Sequence, residues 1–404
     1  VSSPLEGVRV IDWTVWQQGP LGTALLGELG ADVIKIEDRS TGDPGRGATQ
    51  VYGQKTGIQG RNFYFETLNW GKKSIALDLT KKKGKQVVYG LVKGADVFVH
   101  NFRQGVPDRL GMDYQTLSQY NPKIVYAVAS GWGPKGPDAR KPSFDLVAQA
   151  RSGIMDCFFS GGIPPQRLGG AIADQMGGIM LAYSVLAALV ARDRTGAGQE
   201  VDVSQLGSMM LLQGLRVNQY LMCGEEPRKQ PRTAILNPLN NHYQCKDGRW
   251  IALALMQADR YWHDFCMALG IQNVETDPMF STHAKRAEYR VELIALLDKT
   301  FATKTAAEWL QILERNEDFP IALVKSIPDV VEDPQVKANN YIAEFDHAVW
   351  GRTRHLCTPI SFGKTPLKKG KEAPEFGEHT EKLLLELGYS WEDIVGLKEE
   401  QVIP

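Results

Sequence analysis

The chain has 404 residues, and its 46 Lys and Arg against 47 Asp and Glu give a net charge of −1. That length suits two or three domains, and the balanced charge excludes a bulk field that would recruit nucleic acid or a membrane surface. Five dispersed cysteines (157, 223, 245, 266, 357), with no CxxC pair and no histidines at ligand spacing, argue against a disulfide framework and a metal site.

In chain order, "VRVIDW" (8–13) predicts a strand, "TVWQQGPLGTALLGELGA" (14–31) a turn and helix, and "DVIKIE" (32–37) a second strand. The alternation continues with strands at "KSIALDL" (73–79), "DVFVHNF" (96–102) and "KIVYAVASGWG" (123–133), and a helix over 83–95. This pattern predicts an α/β fold with a doubly wound parallel sheet. "EVDVSQLGSMMLLQGLRVNQYL" (200–221) reads as a strand start running into one long helix, and 224–241 as a linker. "HYQCKDGRWIALAL" (242–255) is a hairpin signal, followed by amphipathic helices over 258–269, 286–302 and 305–315. The chain then reads as loop-rich and ends in one acidic helix over 379–400. No uninterrupted apolar run of about 18 residues is present, and "VSSPLEGVRVIDW" lacks the features of a signal peptide. The expectation is a soluble cytoplasmic protein.

Three places carry candidate chemistry. "QQGPLG" (17–22) follows the first strand, where a helix N-terminus attracts phosphate, although every such unit needs a tight turn there. "HNFRQG" and "DRLGM" (100–112) put Asn101, Arg103 and Arg109 past a strand's C-terminal end, where open α/β sheets gather ligands. Surface arginines with Asn101 as a helix cap fit the same text. Asp174 in "GGAIADQMGGIMLAYSVLAALVARDRTGAGQEVDVS" (169–204) precedes an apolar helix and reads as an N-cap. Gly177 and Gly178 in the first turn cost about 1 kcal/mol each against alanine. They give a second reading, a carboxylate left open N–H groups and room for a reacting partner.

Together "LGADVIKIE" (29–37), "NFRQGVPDRLGM" (101–112), "ADQMGG" with "ALVARDRTGAGQEVDVS" (173–204), "YQCKDGRWIAL" (243–253) and "GEHT" (377–380) resemble the family III coenzyme A transferases, over nearly the whole chain. The resemblance implies that Asp174 is a nucleophile. It would form a mixed anhydride and then an aspartyl-CoA thioester before passing CoA to an acceptor acid. Gln17 falls on an active-site glutamine, and Gly177 and Gly178 on a prospective oxyanion site. Asn101, Phe102, Arg109 and Leu77 match the CoA-binding region, with Arg39, Lys72 and Lys73 as phosphate contacts and Asp145 as a second acidic position near the nucleophile.

The resemblance further implies a large Rossmann-like domain (1–205), a linker helix (206–225), a small α+β domain (226–325), a return linker (326–375) and a C-terminal segment (376–404) packing back on the large domain. Two chains would interlock as rings into a homodimer, a heteromer with a paralogous subunit being the alternative. Acyl-CoA and a free carboxylic acid would be the only ligands, with no permanent cofactor and no metal. Succinyl-CoA is an expected donor and an aromatic acid such as benzylsuccinate an expected acceptor. Val15 replaces the histidine of the formyl-CoA type, Asp38 an often basic position, and "ILNPLNNHY" (235–243) a glycine run, which points away from the small-acid enzymes. Two alternatives are a 2-methylacyl-CoA racemase or epimerase of the same fold and a non-catalytic CoA-binding subunit. Phe144 stands where the racemases resemble one another in a histidine, which removes one of the two bases racemisation needs.

Overall fold

Six short runs rich in Val and Ile assemble the central sheet of the computed structural model, which describes residues 2–51, 53–158, 164–227, 229, 231–368 and 371–404. They are β1 (Arg9–Trp13), β2 (Asp32–Asp38), β3 (Lys73–Leu77), β4 (Val97–His100), β5 (Val125–Ser130) and β6 (Gln199–Ser204). All pairings are parallel, in the order β6-β5-β4-β1-β2-β3. Val10 lies opposite Val33 and Val97, and Ile11 opposite Ile34 and Phe98. Alternate residues therefore face opposite sides. Val10, Val33, Val97 and Val99 pack with Leu181, Val185 and Leu189, whereas Ile11, Ile34 and Phe98 pack with Val87 and Leu91. Both faces are covered, as a parallel sheet requires.

From β1 the chain winds outward to β2 and β3, then returns to place β4 on the other side of β1. That reversal puts the topological switch point between β1 and β4, and ligands of such sheets bind beyond the strand C-termini there. Helices α1 (Gln18–Glu28), α2 (Lys82–Lys93), α3 (Asp145–Arg151), α4 (Ile172–Thr195) and α5 (Gln205–Leu212) surround the sheet. Among the described residues α4 is the one helix long and apolar enough to cross a membrane. Its Leu181, Val185 and Leu189 are core residues against the sheet.

The chain divides into two compact units. The first comprises 1–157, 165–225 and 338–404, the second 158–164 and 226–337. In the second, Trp250–Leu253 pairs antiparallel with His242–Gln244 on one side and Ile321–Leu323 on the other. Its core includes Tyr243, Ile251, Phe265, Leu297, Phe301 and Trp309.

Four expectations about elements change. The single helix over 206–221 breaks at Gln213 into Gln205–Leu212 and Gly214–Cys223. The stretch 326–375 holds two short helices, Ile327–Val331 and Pro334–Ala338, and an antiparallel hairpin, Ile342–His347 with Gly351–Leu356. A third strand, Ile321–Leu323, joins the expected hairpin. The terminal helix splits into Thr380–Glu386 and Trp391–Glu399, because Gly388 takes φ +89° and Ser390 starts a new capping box.

Residues 376–404 pack on the sheet: Leu383, Leu384, Ile394 and Leu397 join the same core as Ile75 and Leu77. His379 and Thr380 satisfy the edge of β3. The His379 N–H donates to the Ser74 carbonyl (2.9 Å) and the Thr380 hydroxyl oxygen accepts the Ala76 N–H (3.1 Å).

Candidate active site

The loops leaving β1 and β4 border a cavity of about 1060 Å³ in the first unit. Asn101 joins the two loops: its carbonyl oxygen accepts the Val15 N–H at 2.9 Å and its amide donates to the Val15 carbonyl at 2.7 Å. This two-point clamp uses both ends of the amide. Asn101 is therefore a strut under the turn rather than a free ligand group. Next to it Trp16 sits at φ +65°, which costs a bulky residue about 1–3 kcal/mol.

Buried charges beneath the turn hold it there. The Trp16 N–H donates to Asp43 (3.1 Å), and Lys35 bonds both the Thr14 carbonyl (2.7 Å) and Asp43 (2.8 Å). Lys72 pairs with Asp12 (2.8 Å) and donates to the Pro20 carbonyl (2.8 Å). Burial, partly offset by Asp12, pushes the Lys72 ammonium down to about 8. An enclosed ion network of this kind seldom adds net stability but fixes one geometry.

Gln17 is the last residue before α1. It is buried, lines the cavity and makes no side-chain cap. Gln18 ties α1 to the far strand ends through its amide, at 3.4 Å from both the Ser130 and the Val203 carbonyls.

Asp174 reaches the same cavity from α4. It is the third residue of that helix, not its cap. The cap is Ala171, in the left-handed region at φ +49°. Asp145 satisfies the helix end instead, accepting the Ala173 N–H at 2.8 Å. Asp174 accepts a hydrogen bond from the Gln205 amide, and Gln205 accepts one from the Ser143 hydroxyl (2.7 Å). Because a hydroxyl donates to the amide oxygen, the amide NH₂ must face Asp174. Ser143 approaches so closely that a Cβ on Gly131 would lie 2.2 Å from it, which requires glycine there.

Burial and the nearby Asp145 charge push the Asp174 carboxyl up to about 7, with the Gln205 hydrogen bond opposing them. Among the described residues no lysine or arginine pairs with it. A carboxyl that titrates near neutrality in a cavity at a switch point is suited to acid, base or nucleophile chemistry.

The cavity's remaining walls are polar. Arg103, Arg109, Arg140 and Lys141 supply cations, Asp108, Asp113, Glu200 and Asp202 supply acids, and the rings of Trp16, Phe102 and Phe144 supply apolar surface. Phe102 is supported by Trp13, with ring centroids 4.3 Å apart. His100 is also a wall residue. Burial drives its pKa to about 3, so it is neutral, and its Nδ1 accepts the Phe102 N–H at 3.2 Å.

The sequence candidates thus divide. Gln17, Asn101, Phe102, Arg109 and Asp174 line one cavity. The others do not. Gly177 and Gly178 lie in the second turn of α4, past the four N–H groups a helix leaves free. They allow α1 to approach, since a Cβ on Gly177 would sit 2.7 Å from the Gln18 amide and one on Gly178 2.9 Å from the Gln18 carbonyl oxygen. They are packing residues, not an oxyanion site.

Leu77 is a core side chain, 1% exposed. Lys73 starts β3, at the amino edge of the sheet away from the cavity, and pairs with Asp32 (2.6 Å). Arg39 donates to the Ile403 carbonyl (2.9 Å). Lys72 is enclosed by its network, and Asp145 accepts the Ala173 N–H at the start of α4. None of these five faces the cavity. Gln205 and Ser143 were missed. The signal for Gln205 is "DVSQLG", a strand end, a serine cap and a glutamine at the first helical position. Ser143 carries no signal, because its neighbour comes from a distant segment.

A model of CoA-transferase family III matches residues 5–380. The chain belongs to that family. It is an enzyme of the CoA-transferase type, with acyl-CoA and carboxylic acids as the substrate classes the family handles. It is 30% identical to the (R)-2-hydroxy-4-methylpentanoate CoA-transferase of Clostridioides difficile, over 99% of both chains. It is 34% identical to the acetyl-CoA:oxalate CoA-transferase of Acetobacter aceti, over 84% of this chain and 85% of that one. A CAIB/BAIF family protein from Brucella suis superposes with a TM-score of 0.83 at 29% identity, covering 96% of this chain and all of that one. The parallel sheet and mixed α/β architecture of this CoA-transferase agree with that structure.

Proposed function

We propose that Asp174 is the covalent nucleophile of the transfer. Its carboxylate attacks the thioester carbonyl of the donor, expelling CoA thiolate and leaving a mixed anhydride. The thiolate attacks the aspartyl carbonyl, the donor acid departs, and an aspartyl-CoA thioester remains. The acceptor carboxylate attacks that thioester, and the expelled thiolate then attacks the acceptor acyl carbonyl, freeing the Asp174 carboxylate. The observation that carries this reading is a cavity-facing carboxyl with no cationic partner among the described residues and an oriented amide donor at its oxygen. Gln17 and Gln205 supply amide N–H groups to the oxyanions that form, and Arg103, Arg109, Arg140 and Lys141 draw the CoA phosphates.

The acceptor in this proposal carries an apolar group. Trp16 and Phe144 are 41% and 62% exposed and both line the cavity, which supports such an acid over oxalate. Of the two relatives named above, one acts on a branched 2-hydroxy acid and one on oxalate. A panel of 2-hydroxy-4-methylpentanoate, phenyllactate, benzylsuccinate, glutarate and oxalate, with succinyl-CoA and acetyl-CoA as donors, decides it. Turnover of oxalate above every apolar acid removes the substrate reading.

The nucleophile is tested separately. After donor alone, hydroxylamine should modify the peptide containing Asp174, and Asp174→Ala should abolish transfer. An unmodified peptide during turnover, or an active variant, removes the assignment.

The proposed assembly is an interlocked dimer. Leu215, Leu221 and Met222 are 89%, 71% and 82% exposed in this single chain, a level of apolar exposure that supports self-association. Light scattering during gel filtration gives the mass that tests it.

A further inference from the structure

Away from the active site, the fold brings together Glu28, at the C-terminal end of α1, with His355 and Cys357, at the end of the hairpin strand Gly351–Leu356. The ligand-type atoms of the three side chains all lie within 4.8 Å of one another. A tetrahedral zinc with bonds of about 2.0–2.3 Å holds its ligands roughly 3.3–3.8 Å apart, so closure of about an ångström completes the geometry.

The hydrogen bonding already suits a cation. His355 Nδ1 lies 2.9 Å from the Leu356 carbonyl, which can only accept. Nδ1 therefore carries the proton and Nε2 the lone pair, the arrangement that orients metal-binding histidines. That Nε2 is buried and has no hydrogen-bond partner among the described residues. Glu28 is only 4% exposed, and among the described residues no lysine or arginine pairs with it. One of its oxygens accepts the Thr358 N–H at 2.8 Å and the Thr358 hydroxyl, leaving the other for a ligand. The Cys357 backbone is pinned by its N–H to the Tyr341 carbonyl (2.8 Å). Among the described residues, a buried carboxylate without a countercharge, an imidazole nitrogen without a partner and a thiol thus come within 4.8 Å of one another.

We propose that Glu28, His355 and Cys357 bind one zinc ion through a carboxylate oxygen, Nε2 and a thiolate, with a fourth position for water. The thiol proton passes to solvent on binding. The ion clips the hairpin to the end of α1 opposite Gln17. The site is distinct from the transfer chemistry: none of its three residues lines the cavity.

The test uses the full chain without an affinity tag and in the absence of CoA. Zinc is added, free metal is removed by desalting, and bound metal is measured by elemental mass spectrometry. The expected result is one equivalent per chain and a raised melting temperature. Cobalt loading should give a thiolate-to-cobalt charge-transfer band. Cys357→Ser and His355→Ala should weaken binding at least tenfold and remove the band, whereas Cys223→Ser, at an exposed cysteine elsewhere, should change neither. Cys357→Ser conserves volume and keeps the test valid if His355→Ala misfolds. No retained metal, or equal retention by Cys357→Ser, overturns the site.

Discussion

Asp145 acts on Asp174 twice: it accepts the N–H of the residue just before it, Ala173, at 2.8 Å, and its charge drives the Asp174 carboxyl toward the neutral form. The nucleophile needs the ionised form, so the rate with donor should rise with pH through about 7 and level off above it. Asp145→Asn keeps an acceptor for Ala173 but removes the charge. The rising limb should then move to lower pH in a pH profile of kcat/KM. Asp145→Ala also removes the acceptor for the Ala173 N–H and should cost a further ~1 kcal/mol in denaturant melts. An unmoved limb in Asp145→Asn would separate the two carboxyls.

Gln205 opposes that shift. Its amide hydrogen-bonds the carboxylate, favouring ionisation. Gln205→Ala should move the limb upward in pH and lower the rate about 10–100-fold at neutrality. Ser143→Ala, which frees the amide to rotate, should do the same more weakly. A merely structural Gln205 would lower activity without moving the limb.

Much of this arrangement was legible in the sequence because it is carried by local pattern. The β1, β2 and β4 runs alternate around Gly-bearing turns, and those strands alone put the 14–17 and 101–105 loops at one sheet edge. Lys73 misled for a simple reason. A lysine at the start of a strand lies at the opposite edge from the ligand, and reading residue type without strand polarity hides this. Gly177 and Gly178 misled because a glycine pair reads the same whether it makes room for a substrate or for a neighbouring helix. The break at Gln213 and the third strand of the second unit depend on tertiary partners that no local pattern encodes.

The raised carboxyl at Asp174 also has a stability signature. Its folded pKa of about 7 exceeds the ordinary value of 3.8, so the folded state holds a proton that the unfolded chain has released. Stability therefore falls as pH rises from about 4 to 7, and the full penalty remains above 7. Asp174→Asn removes this dependence. At pH 8 the variant should be more stable than the native chain by on the order of 1–3 kcal/mol, and at pH 4 nearly equal. Paired urea melts at the two pH values check this. A variant less stable at pH 8 would mean that the carboxylate is solvated in the folded chain.

Asn101 clamps the turn that carries Val15, Trp16 and Gln17. Asn101→Ala removes both bonds and lets strained Trp16 relax, displacing Gln17. The expected result is a fall of about 10–100-fold in kcat, with a smaller change in KM for CoA thioester, because Arg103 and Arg109 remain. Steady-state kinetics at saturating donor separate the two effects. A loss confined to KM would make Asn101 a CoA contact instead of a strut.

The α1–α4 contact depends on glycine at positions where helix propensity favours alanine. Replacing Gly178 by alanine gains about 1 kcal/mol of propensity. The new methyl would lie 2.9 Å from the Gln18 carbonyl oxygen and 2.9 Å from Leu21 Cδ2. The oxygen is backbone and cannot rotate away, so α1 must shift, at a cost of about 1–3 kcal/mol. Gly178→Ala should therefore destabilise on balance. It should also lower activity, because Gln17 immediately precedes α1 and Asp174 lies one turn before Gly178. Gly196→Ala supplies the contrast: its added methyl meets nothing within 4 Å, but its φ of +75° strains any side chain, so stability should fall while the active site is untouched. Thermal melts with activity at 25 °C distinguish them. Full activity in a destabilised Gly178→Ala would show that α1 can move without carrying Gln17.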